Sequence, residues 1–110
     1  MISIQILHYE FLGPIPLREW GPPMEKVVYV ILSRDKDQFQ VIYADTCEST
    51  NDLSFFVDND SFSCWMKQSG SENNTYLAIL PMFDASADDR RYVLDRVLAS
   101  MKPPCNKNSA

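Results

Sequence analysis

Glycine is scarce in this chain, with 3 residues in 110. Gly13, Gly21 and Gly70 are scattered, which excludes a glycine loop able to cradle phosphate. Histidine is scarcer still: His8 stands alone, so a catalytic Cys–His pair has one possible base, and a buried, hydrogen-bonded His8 is the plainer expectation. None of the three cysteines, Cys47, Cys64 and Cys105, belongs to a C-x-x-C unit, the spacing that marks a zinc site. Their odd number and wide separation argue against a disulfide framework, so small hydrophobic cysteines in a reducing, cytoplasmic setting are expected. No apolar run approaches membrane-spanning length, and no basic segment leads into a long apolar one, so neither a span nor a signal peptide is expected. Basic residues are outnumbered, 10 Lys and Arg against 15 Asp and Glu, for a net charge of −5. A nucleic-acid grip usually needs Lys and Arg gathered on one face. Arg90, Arg91, Arg96 and Lys102 lie close together, but Asp84, Asp88, Asp89 and Asp95 are interleaved with them, the pattern of a solvated helix face.

What is present is a single domain's worth of patterned sequence. At 110 residues the chain is long enough to bury one core without covalent staples. The apolar, β-branched run Val27–Leu32 is followed, after the charged connector 33–38, by Gln40–Ala44. Two such runs joined by a short polar loop predict an antiparallel hairpin over roughly 26–33 and 39–45, and the first, apolar on both faces, predicts a central strand. Residues 2–11 alternate with Ile2, Ile4, Ile6 and His8 on one face and read as one strand. Residues 12–25 hold four of the seven prolines and read as an ordered connector pinned by Ile15, Leu17 and Trp20. After a polar turn carrying Asp45, Glu48 and Asp52, the run Leu53, Phe55, Phe56 and Val57 returns to the core. A short helix over 60–69 starts at Asn59-Asp60-Ser61 and stops at Gly70. A strand follows over 75–80. Ser86-Ala87-Asp88-Asp89 has the form of a capping box for an amphipathic helix from 87 to 101, with Leu94, Val97, Leu98 and Met101 on one face. The fold class predicted is α+β: a small antiparallel sheet with the hairpin at its centre, packed against two or three helices, plus an extra N-terminal strand.

The hairpin, the helices and the chain's ending together resemble the GIY-YIG superfamily, the nuclease domain of certain homing and repair endonucleases. Val27-Val28-Tyr29 stands at the GIY position, Ile42-Tyr43-Ala44-Asp45 at the YIG position, and Lys102-Pro103-Pro104-Cys105-Asn106 at the closing P-x-x-N. The resemblance covers 26–106. Residues 1–25 form an added strand and proline-rich connector, and 107–110 a frayed tail. It implies an active site at Tyr29, Tyr43 and Asn106. The resemblance also implies an arginine in the helix after YIG and a metal-binding glutamate in the last helix, and this chain lacks both. No arginine occurs between Arg34 and Arg90, and Leu53 is near the expected place. Leu94 stands at the glutamate position, with Asp95 one residue on and so turned ~100° away. Val27 and Asp45 replace the two motif glycines. Without the guanidinium and the carboxylate, developing phosphate charge has little to stabilise it and water has no metal to position it.

The expectation is a catalytically degenerate GIY-YIG-like domain. It would act as a non-catalytic interaction module for a protein partner or a second copy, with vestigial Tyr29, Tyr43 and Asn106, no cofactor and no membrane. Its contact patch would lie around Trp20, Trp65 or Phe55-Phe56. The alternative is a divalent-metal-dependent endonuclease using Mg²⁺ or Mn²⁺ on substitute carboxylates, Asp45, Glu48 or Asp95.

Overall fold

A strand apolar on both faces is stable only where neighbours cover both, and the run Val27–Leu32 has such cover. The computed structural model describes residues 3–19, 24–50 and 60–109. Its strands are β1 (Ser3–Ile6), β2 (Tyr9–Pro16), β3 (Met24–Asp35), β4 (Gln38–Thr50) and β5 (Thr75–Pro81). They form one antiparallel sheet of order β1-β2-β5-β3-β4. Helices α1 (Phe62–Ser69) and α2 (Ala87–Met101) complete the α+β fold predicted from the sequence. No helix is long and apolar enough to cross a membrane among the described residues.

Alternation along β3 divides the core in two. Val28, Val30 and Leu32 pack with Val93, Leu94 and Val97 of α2. Val27, Tyr29 and Ile31 face the other way, onto Trp65 of α1. None of the six β3 residues is more than 1 % exposed. The pairing of β3 with β4 slips between Ile31 and Leu32: Ile31 lies opposite Tyr43, Leu32 opposite Val41. Ile42 is therefore an extra, bulged residue. The bulge sends Ile42 and Tyr43 to the same side, among the α1-facing residues, whereas Val41 and Ala44 join the α2-facing ones. Without it, strict alternation would turn Tyr43 away from Tyr29.

The structure corrects several expectations. Residues 2–11 are not one strand: a turn at Leu7-His8 separates β1 from β2, with Leu7 at φ +60°. The turn takes His8 out of the alternation, so it is exposed beside Tyr9, ring centroids 4.5 Å apart, rather than buried on the isoleucine face. The proline connector begins as strand. Pro14 and Pro16 lie in β2, and the first falls where the pairing with β5 shifts, between Leu12 and Ile15, a place where a missing N–H costs no ladder bond. Gly13, at φ +117°, passes so close to β5 that a Cβ would stand 2.7 Å from the Leu77 carbonyl oxygen. Leu17, in a 3-10 turn (Leu17–Glu19), is fully buried as expected. The hairpin is longer than predicted and turns at Lys36-Asp37, so Asp45 and Glu48 belong to β4 and not to a turn. Trp20, Asp52, Leu53, Phe55, Phe56 and Val57 lie outside the described residues.

α2 occupies the predicted span, and α1 begins at Phe62, two residues later than expected. Ser86 and Asp89 make the reciprocal capping box, 3.1 Å from the Asp89 N–H to Ser86 Oγ and 3.3 Å from the Ser86 N–H to Asp89 Oδ2. Gly70 ends α1 at φ +89°, its N–H reaching the Met66 carbonyl at 2.8 Å. Two residues of the expected exposed or apolar faces exchange places. Met101 is 39 % exposed, and Arg90, expected on the solvated face, is 3 % exposed. The Arg90 guanidinium pairs with Glu48 of β4 and donates to the Ala85 carbonyl at 3.3 Å. Trp65, expected as a surface contact, is fully buried in the core.

Candidate functional site

The paired tyrosines come from adjacent strands. Tyr29 lies opposite Asp45, and Tyr43 opposite Ile31, so the tyrosines are diagonal neighbours on the face that packs against α1. Their ring centroids are 6.2 Å apart, and the Tyr43 ring lies 5.1 Å from that of Trp65. Tyr29 is 1 % exposed. Burial first, then the neighbouring Tyr43, Asp45 and Cys47, push its phenol pKa far above the ordinary tyrosine range, because a phenolate there would lose its hydration beside existing negative charge. Tyr43 is also buried, at 8 % exposed, and its hydroxyl donates to Asp45 Oδ2 at 3.0 Å. The other Asp45 oxygen accepts the Thr46 N–H at 2.8 Å.

Asn106 arrives from the far end of the sequence. Beyond α2, Lys102 adopts a left-handed cap at φ +47° and Pro103 is buried. A 3-10 segment (Pro104–Ser109) then leaves helical geometry at Asn106. The Asn106 amide grips β4 at both ends: its Oδ1 accepts the Ala44 N–H at 2.8 Å, and its Nδ2 donates to the Ala44 carbonyl at 2.9 Å. Ala44 sits opposite Val30 in the ladder, and in an antiparallel pair alternate residues point their backbone groups away from the partner strand. β4 is the sheet's edge, so the asparagine amide stands where a further strand's peptide group would.

A disulfide holds the same segment from the other side. Cys64 of α1 is bonded to Cys105, with Cα atoms 5.8 Å apart across a sequence separation of 41. This corrects the expectation of three reduced, unpaired cysteines. The wide spacing that argued against a bond is closed by the fold, which brings α1 and the C-terminal segment together. Cys47, on β4, stays outside the disulfide.

These pieces frame an open cleft of about 590 Å³ at the edge of the sheet. Tyr43, Ala44 and Asp45 of β4 form its floor, with Cys105 and Asn106 beside them. Leu94 and Leu98 of α2 form one wall, with Arg91 at the same wall, and Asp60 and Ser61, just before α1, form the opposite one. Of the three residues implied by the resemblance, Tyr43 and Asn106 line this cleft and Tyr29 lies buried beneath it. Leu94, where the resemblance implies a metal glutamate, lines it too. Among the substitute acids, Asp45 lines it. Glu48 cannot join Asp45, because odd separation along a strand sends side chains to opposite faces, and it pairs with Arg90 instead. Asp95 is paired to Arg91 on the helix exterior, at 3.3 Å. No group of three His, Cys, Asp or Glu is placed to hold a metal among the described residues, and His8, in the β1–β2 turn, does not join the cysteines.

Sequence reasoning passed over Asp60, Ser61 and Arg91 as site residues. Arg91 had a usable signal: it precedes Leu94 by three residues and Leu98 by seven, one face of a helix. Asp60 and Ser61 had only their place at the start of α1. The chain was compared with family models, curated proteins and solved structures, and none matched.

Proposed function

We propose that this domain is a non-catalytic interaction module, a GIY-YIG-like scaffold whose cleft binds a partner and does not cut. One observation carries the reading: the wall of the cleft at the family's metal-ligand position is Leu94, continued by Leu98. An aliphatic wall offers no ligand to a divalent ion and no charge to a phosphoryl group, but it favours desolvated apolar contact. The polar groups nearby support the same reading. The Asn106 amide is engaged at both ends by β4, and the Tyr43 hydroxyl by Asp45. The disulfide favours an oxidising setting, where such bonds persist, over the reducing cytoplasmic one expected from the sequence.

The alternative of a metal-dependent endonuclease has one observation in its favour, the placing of Asp45, Asp60 and Arg91 on the same cleft as Tyr43. A single assay separates the two. Purified protein incubated with single- and double-stranded DNA and RNA, in Mg²⁺ or Mn²⁺, is expected to leave every substrate intact. Cleavage that disappears in Tyr43→Phe would sink the interaction-module reading and establish the other.

A further inference from the structure

We infer that the cleft receives an arginine side chain of a partner protein, the guanidinium held by Asp45 and Asp60 and the aliphatic stem lying against Leu94 and Leu98. The inference rests on the binding reading above and adds the chemistry of the occupant. The apolar wall and the acidic groups belong to one cavity, and an amphipathic side chain with a methylene stem and a cationic head matches both at once. Each Asp45 oxygen already accepts one hydrogen bond, from Tyr43 or Thr46, which fixes the carboxylate in place and leaves each oxygen lone-pair capacity for a second donor. Asp60 is exposed at the opposite wall. A planar, five-donor guanidinium can engage two carboxylates and lie beside the Tyr43 ring, whereas a lysine ammonium is a compact point charge.

Among the described residues lining the cleft, the one cation, Arg91, does not oppose this placing. Arg91, at the wall of Leu94 and Leu98, is paired to Asp95 at 3.3 Å, and the two acids Asp45 and Asp60 outnumber it on the cleft. The whole chain supports it in sign: a net charge of −5 draws a cationic partner and repels an acidic one. At about 590 Å³ the cleft has room for the side chain together with its flanking backbone.

The test titrates the full chain, labelled with ¹⁵N, with four blocked tripeptides: acetyl-Leu-Arg-Leu-amide and its lysine, citrulline and glutamate counterparts. The arginine peptide is expected to move the amide signals of Ala44, Asp45, Asp60, Ser61 and Leu94. It should bind more tightly than the lysine peptide and about tenfold more tightly than the uncharged citrulline peptide. Asp60→Asn, whose spectrum reports its own folding, should weaken the arginine peptide about three- to tenfold and leave the citrulline peptide unchanged. Equal binding of the arginine and citrulline peptides in the cleft would overturn the arginine assignment while leaving the binding module intact. Preference for the glutamate peptide would overturn it in favour of an anion at Arg91. Silence of the cleft signals to all four peptides would also overturn it. Failure of the binding reading itself would show separately, as Tyr43-dependent cleavage in the nuclease assay.

Discussion

Asn106 illustrates how one side chain can take a structural part that its sequence position does not announce. Its amide supplies a donor and an acceptor to Ala44 on an edge strand, and edge strands with unpaired backbone groups are templates for unwanted pairing. Asn106→Ala leaves both Ala44 groups to solvent or to another chain. A loss of about 2 kcal/mol in urea unfolding is expected, with concentration-dependent association visible by light scattering. Tyr29 is the second residue whose environment decides its behaviour. Its folded-state pKa is raised by burial, and then by Tyr43, Asp45 and Cys47. The folded protein thus holds that proton more tightly than the unfolded chain, whose tyrosines titrate near pH ~10. The contribution is whole below that pH and is lost progressively as pH rises above it. Urea midpoints measured at pH 9 and 11 should fall further for the wild type than for Tyr29→Phe, by up to ~1.4 kcal/mol per pH unit.

At the scale of elements, the parts legible in the sequence are those with a local cause. The period of β3, the capping box of Ser86 and Asp89 and the stop at Gly70 each depend on neighbours a few residues away, and each stands where it was expected. The turn at Leu7-His8 was not legible, because it contains neither glycine, proline nor asparagine and requires a positive φ at a leucine. The bulge at Ile42, which sets the two tyrosines side by side, is visible only once β3 and β4 are paired. The cleft is less legible still, since its walls come from β4, α2, the start of α1 and the C-terminal segment. Only Tyr43, Asn106, Leu94 and Asp45 of that site were marked beforehand. The Cys64–Cys105 link joins α1 to the last of these. Replacing both cysteines by serine should cost about 2–4 kcal/mol, given the 41-residue separation. Thiol counting by mass spectrometry should find one reactive cysteine in native protein and three after reduction and unfolding.

For the whole molecule, β3 is the common support. It pairs with β4 and β5 and meets a helix layer on each face. Amide exchange should therefore be slowest at Val28, Tyr29 and Val30, at the limit set by global unfolding, and faster in β1, which pairs only with β2. A flat profile across the sheet would contradict that hierarchy. The disulfide has a mechanical consequence as well. Tension applied at the chain's C-terminal end enters at Cys105 and crosses the sulfurs to Cys64. β5 and α2 lie inside the closed ring between those two residues, so the covalent path bypasses them. The force passes instead through the start of α1 toward β4, which has one strand neighbour. Pulled from its ends, this domain should yield first at β1, held by four paired residues against one neighbour, and then by peeling β4 from β3, with the ring still folded behind it.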